Sequence, residues 1–280
     1  MSTRAQQGGR EPARGRRSDL GARILTAIPA IAFAIFIVDR GGLIFALGLI
    51  GLGCVALREL YGLMSRARPV EAAGYLGVAA MVLLATYEQR ADVLMALVAV
   101  LPVAFVLALI RPRIENISWG LAATILGVVW VGMPLSHAVF LRSLEHGDGL
   151  LVDVLIGTFV GDTAAYLGGR AWGRRPLAPD ISPNKTVEGL LAGIVGGTTA
   201  FWCAGLYQDW LSGIDALLIG LLVALVAPLG DLFESALKRD LEVKDTGRFF
   251  GVHGGVLDRL DAVFFTVVVG FYAAVALGYG

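Results

Sequence analysis

The sequence predicts an all-α, polytopic transmembrane helix bundle with about nine spans. Three observations lead there. Hydrophobic residues fill 56% of the 280 positions and charged residues only 16%, whereas soluble domains carry about 25% charged residues. The apolar residues gather in runs close to the ~20 that a helix needs to cross a bilayer. Lys and Arg crowd every second connection between those runs, as the positive-inside rule requires.

The chain opens on residues 1–19, a tail in which Arg4, Arg10, Arg14, Arg16 and Arg17 stand among Gly, Ser, Gln and Pro. Such a segment buries too little apolar surface to fold, so it reads as a disordered basic cytoplasmic tail ahead of a membrane domain at 20–280. A cleaved signal peptide is the weaker reading, because the apolar run that follows is a full span with no small-residue cleavage site. The runs fall at 21–38, 42–62, 72–87, 91–110, 117–141, 150–169, 188–208, 214–237 and 260–278. The third is short, and Gly41-Gly42 makes a tight turn between the first two. Backbone groups in lipid need partners within their own segment, which leaves helices or a closed barrel. Barrel strands alternate polar and apolar residues, and these runs do not.

Orientation follows from the cations. With the N-terminus inside, only Arg40, Arg90 and Arg142 of the 23 Lys and Arg fall outside, leaving 20 on inner segments. A missed span would scramble that bias. It predicts a multi-pass protein of the cytoplasmic membrane with a cytoplasmic N-terminus. The longest inner connections are 170–188 and 238–259, and long loops are where function concentrates.

Composition also excludes some classes. Acids and bases balance at 23 each, so no bulk field favours nucleic acid. Cys54 and Cys203 lie in apolar runs and read as small buried hydrophobes. There is no Walker A lysine motif. Gly189, Gly193 and Gly197 form a small-xxx-small stripe suited to close helix packing, within one chain or between two, which leaves a homodimer open.

Chemistry concentrates at the end of the eighth run. Asp231 and Glu234 stand in an otherwise apolar stretch, where a carboxylate costs a few kcal/mol unless it has a partner or a cavity. A span that ends near Gly230 would instead leave both acids at the water interface. The segment that follows mixes Lys238, Arg239, Lys244, Arg248 and Arg259 with Asp240, Glu242, Asp245, Asp258 and Asp261. A basic anchor loop would explain the cations but not the interleaved acids. Cations that clamp phosphate oxygens, beside acids that hold Mg²⁺, suit a polyphosphate. In the other loop, Asp162 and Tyr166 precede Arg170, Arg174 and Arg175, and Ser182 and Lys185 lead to Thr186, which reads as the N-cap of the seventh span. Lys185 there opposes the helix dipole, and a bound phosphate would remove the conflict.

These segments resemble the phosphatidate cytidylyltransferase (CDP-diacylglycerol synthase) family. Ser235, Lys238-Arg239, Lys244-Asp245, His253-Gly254-Gly255 and Asp258-Arg259-Leu260-Asp261 follow that family's signature at its spacing. Asp162, Tyr166, Gly169-Arg170, Gly173, the Leu-Ala-Pro run at Leu177, Ser182-Pro183 and Lys185-Thr186 resemble its second motif. Arg58-Glu59-Leu60-Tyr61 is a weaker match. Ala164 stands where the family commonly has Gly, and Gly251-Val252 stands where it commonly has Pro-Gly.

The resemblance implies an enzyme that joins CTP and phosphatidic acid into CDP-diacylglycerol and pyrophosphate. It implies Mg²⁺ held by Asp231 and Asp258, with K⁺ as a second cation. It also implies phosphate contacts from Lys238, Arg239, Lys244 and Arg259, with Arg248 a weaker candidate. Ser182 and Lys185 would close the site from the other loop, Asp162 would support the metal cluster, and Glu234 and Asp261 would act behind the ligands. His253 is expected to bind or shape a turn rather than act as a base, because a lipid phosphate is already ionised at neutral pH. His137 and His146 fall near the outer face and are expected to be incidental. The expected partners are CTP, phosphatidic acid and membrane lipids. The alternatives are a dolichol-kinase-like lipid enzyme and an ion-coupled transporter. A transporter would spread its polar residues across the midplane of several spans rather than gather them at one end. The motif of CDP-alcohol phosphotransferases is absent.

Overall fold

The computed structural model describes residues 29–87, 90–111, 115–243, 246–247 and 254–280. The basic tail at 1–19 and the expected site residues Lys244, Arg248 and His253 lie outside the described residues. The chain divides into two units, Met1–Phe36 and Ile37–Gly280. In the first, residues 29–36 are helical and largely exposed.

In the second unit the helices are α1 (Gly42–Leu63), α2 (Glu71–Tyr87), α3 (Arg90–Leu109), α4 (Ile117–Gly127), α5 (Met133–Arg142), α6 (Gly147–Trp172), α7 (Val187–Gly205), α8 (Gly213–Asp240) and α9 (Leu257–Ala276). A single π turn, Val128–Gly132, joins α4 to α5, so the two make one 26-residue rod. Counting that rod once, seven helices among the described residues are long and apolar enough to cross a membrane. The third predicted run is α2, shorter at 17 residues. The expected all-α membrane bundle is therefore what the chain forms, with seven of the predicted runs as full-length spans among the described residues; most of the first run, 21–38, lies outside them.

Two helices outrun their apolar stretches. The helix α6 reaches Trp172 and α8 reaches Asp240. Backbone hydrogen bonding does not stop where hydrophobicity does, and Glu234, Lys238 and Arg239 after Gly230 are good helix formers. The helix does not end near Gly230. The connection after α6 is also more ordered than a loop. It holds an antiparallel hairpin of β1 (Pro176–Ala178) and β2 (Ser182–Thr186), with Pro176 opposite Thr186 and Ala178 opposite Ser182.

The α4–α5 rod is the most enclosed span, with 78% of its apolar window buried against 22% for α3 and α7. Tyr61 of α1 ties to it by donating to the Thr124 carbonyl at 3.0 Å. Its ring fills the space left by Gly74 and Gly127, where a Cβ would strike it. Between α6 and α9, Thr158 donates to Thr266 at 2.9 Å in the buried core.

The seam between α6 and α7 is built of glycine. A Cβ on Gly197 would lie 2.8 Å from the Gly157 carbonyl oxygen, and one on Gly193 would lie 3.1 Å from that of Gly161. The Gly189-Gly193-Gly197 stripe therefore brings two backbones of the same chain together, the close packing that small residues permit in membranes. Gly51 on α1 faces open space. Gly197→Leu is expected to cost about 1–3 kcal/mol by overpacking, while Gly51→Leu leaves stability unchanged. Thermal unfolding of the two variants in detergent checks this.

Candidate active site

Four elements converge: α6, the hairpin, α8 and α9. On α8, Asp231, Glu234, Ser235 and Lys238 are spaced by three and four residues, which puts them on one helical face. On α9, Asp258 and Asp261 lie in the first turns. Gly230 sets how closely the two helices cross, since a Cβ there would fall on the Asp261 carbonyl and the Ala262 Cα. Because α8 has no side chain at its closest approach, the acids on either side of the crossing meet. Asp231, Glu234 and Asp261 each offer a carboxylate oxygen within 4.8 Å of the others.

Cations answer part of this charge. Lys238 lies between two acids, 2.6 Å from Glu234 Oε2 and 3.0 Å from Asp258 Oδ1. Glu234 is only 2% exposed, and a carboxylate so buried persists only when paired. The Asp258 carboxylate also accepts the Gly255 N–H at 2.7 Å and the Thr246 N–H at 3.2 Å. From the hairpin, Lys185 reaches Asp231 Oδ2 at 2.6 Å. That ion pair places an anion beside Lys185 ahead of the start of α7. Asp162 on α6 is near enough to interact electrostatically with Asp231 and Lys185.

The hairpin is strapped in place. Arg239 Nε donates to the Ile181 carbonyl at 3.1 Å. Glu188 accepts the Arg174 and Arg175 N–H groups at 3.0 and 3.2 Å. Thr186 caps α7 as predicted, accepting the Gly189 N–H at 3.1 Å. The π turn presents Trp130 edge-on to Phe233 of α8, the chain neighbour of Glu234, with ring centroids 4.8 Å apart. Single π turns of this kind are frequent at functional sites.

The structure thus joins Asp231, Asp258, Lys238 and Lys185, and it brings Asp162 and Arg239 to the same end. Ser182 begins the strand that carries Lys185, and Arg259 is exposed on the first turn of α9. The three-carboxylate group contains Asp231 but has Glu234 and Asp261 as its other members, while Asp258 holds Lys238. Glu59 of α1 is a contributor that the sequence reading passed over. Its carboxylate accepts the Val256 and Leu257 N–H groups at 3.1 and 3.0 Å. The signal for it was the Arg58-Glu59-Leu60-Tyr61 match. His137 bonds to the Tyr272 hydroxyl at 3.2 Å and His146 stacks on Trp210, so both belong to packing away from the acids.

The acids fit a divalent cation. Three carboxylates this close repel one another unless cations or protons intervene. Glu234 Oε1 is a buried oxygen with no hydrogen-bond partner among the described residues. Oxygen-only donors with an unsatisfied buried acceptor suit a hard ion such as Mg²⁺.

A model of the cytidylyltransferase family matches residues 21–277. The chain belongs to that family. Among curated relatives, the phosphatidate cytidylyltransferase of Bacillus subtilis is 33% identical over 89% of this chain and 95% of its own length. The uncharacterized protein YnbB of Escherichia coli is 40% identical over 57% of this chain. The phosphatidate cytidylyltransferase of Mycobacterium leprae is 36% identical over 58% of it. The matches to these last two span about half of each relative's length, 53% and 52%. As a cytidylyltransferase, this membrane protein is a nucleotidyl-transferring enzyme rather than a transporter.

Removing the cation between Glu234 and Asp258 exposes the cost of the buried acid. Lys238→Met is expected to destabilise the protein by about 3–5 kcal/mol, and adding Glu234→Leu to recover most of the loss. Thermal unfolding of the single and double variants in detergent measures both.

Proposed function

We propose that the protein transfers a cytidylyl group from CTP to phosphatidic acid, releasing pyrophosphate and leaving CDP-diacylglycerol in the membrane. The observation that carries this reading is the meeting of Asp231, Glu234 and Asp261 with Lys185 and Lys238. Lys185, Lys238 and Asp261 lie in the two segments whose residues follow the phosphatidate cytidylyltransferase pattern, and Asp231 and Glu234 stand in the turn just before one of them. The positive-inside bias supports a site on the cytoplasmic side, where CTP is available.

In the reaction a phosphate oxygen of the lipid attacks the α-phosphorus of CTP. The bond from that phosphorus to the bridging oxygen of the β-phosphate breaks, and pyrophosphate leaves with the electron pair. The nucleophile is already an anion, so no side chain needs to remove a proton. The difficulty is bringing two anions together while charge grows on the leaving group, which positioning and electrostatics solve.

Mg²⁺, held by Asp231 and Asp261 with the free oxygen of Glu234, would supply positive charge to the triphosphate. Asp258, the other expected ligand, would reach the ion only by giving up Lys238. In its present role it keeps Lys238 oriented at the site. Lys185 on the hairpin faces the same acids from the opposite side and would bind a phosphate oxygen as Asp231 turns to the ion. Arg239 and Arg259, at the polar ends of α8 and α9, would draw phosphate toward the crossing.

Purified protein in lipid vesicles, given labelled CTP, phosphatidic acid and Mg²⁺, is expected to form CDP-diacylglycerol and pyrophosphate in equal amounts. Repeating the assay with and without K⁺ tests the second cation. No CDP-lipid above background would sink the proposal. Asp231→Asn is expected to lower turnover by about 100-fold or more, with protein yield and unfolding temperature retained.

A further inference from the structure

A helix start leaves backbone N–H groups without intrahelical partners. At α9 the residue ahead of the helix is Val256, whose side chain makes no cap hydrogen bond, and Val is among the poorest residues there. The chain supplies two carboxylates instead. Asp258 takes the Gly255 N–H, and Glu59 takes those of Val256 and Leu257. Glu59 comes from α1, 197 positions before Val256. The fit is close, since a Cβ on Gly247 or Gly255 would fall on the Glu59 carboxylate.

We propose that Glu59 is a positioning residue that fixes the start of α9 so that Asp261 meets Asp231 and Glu234 as a cation site. The inference rests on the metal reading given under Proposed function. Leu257, which Glu59 holds, is one helical turn before Asp261. The same turn is also held through Asp258, which pairs with Lys238 of α8 at 3.0 Å, and through its packing on Gly230 of α8; a side-chain ion pair and a packing contact limit approach without fixing rotation. Two hydrogen bonds to successive backbone N–H groups do fix rotation. A carboxamide at position 59 would keep the size but turn one acceptor into a donor facing an N–H. The start of α9 would then shift, and Asp261 with it. Groups that orient metal ligands in this way typically contribute about 10–100-fold to affinity or activity.

A purely structural role for Glu59 would lower stability alone, so the test reads metal affinity without turnover. Full-length protein in detergent is titrated with Mn²⁺, a hard-ion substitute for Mg²⁺, and the free ion is followed by electron paramagnetic resonance. Glu59→Gln is expected to raise the Mn²⁺ Kd about 10-fold or more. Tyr61→Phe, on the same helix, loses its bond to Thr124 and is expected to lower the unfolding temperature with the Kd unchanged. Gly255→Ala pushes on the Glu59 carboxylate from the other side and is expected to weaken Mn²⁺ as Glu59→Gln does, which keeps the test open if one variant fails to fold. Wild-type binding with unchanged affinity in Glu59→Gln or Gly255→Ala overturns this inference alone, as does equal weakening in Tyr61→Phe. A wild type that binds no Mn²⁺ overturns the metal reading itself, and this inference with it.

Discussion

Negative charge held where two apolar helices cross is the constraint to which the rest of this protein answers. Asp231, Glu234 and Asp261 meet because Gly230 lets α9 lie against the backbone of α8. Burying carboxylates together is costly, and each needs a counter-charge or a donor. Lys238 answers Glu234 from one turn along the same helix, and Lys185 answers Asp231 from the hairpin. Lys185 needs β2 to hold it, and the hairpin is tied by Arg239 at its turn and by Glu188 ahead of β1. The order of the polar end therefore follows from the placement of the acids.

The same arrangement fits an enzyme whose substrates are both anions. Such a site must attract phosphate without being filled by its own cations. Here both lysines are engaged by acids, so their charge is held in position while the net character of the cluster still favours a metal. Phe233, the chain neighbour of Glu234 on α8, packs edge-on against Trp130 of the π turn.

Much of this was legible in the sequence. Run lengths and the cation bias identified the membrane bundle, and seven runs are full spans among the described residues because each is long, apolar and nearly free of charge. Asp231, Lys238 and Asp258 were visible as charged residues that no anchor loop explains. The sharing of the acids was not visible. Glu234 looked like a supporting residue because sequence shows spacing along α8 but not how near α9 passes. Glu59 was hidden for a related reason, since its partners are backbone N–H groups that carry no side-chain signature. The pairing of Lys185 with Asp231 was not legible either, because a cation beside a helix start can be satisfied by any anion in space. The π turn at Val128–Gly132 has no sequence mark at all.

The glycine seam between α6 and α7 bears on how the hairpin sits. Helices in backbone contact have no side chains to repack, so this pair acts as a stiff mounting plate. The hairpin is attached to the plate at both ends, through Gly173 and Thr186. Any travel that lifts Lys185 off Asp231 has to be taken up at those two attachments and at the Arg239 bond to Ile181. The hairpin is then a short lever on a fixed base, and the length of its swing is set by the fourteen residues from Gly173 to Thr186.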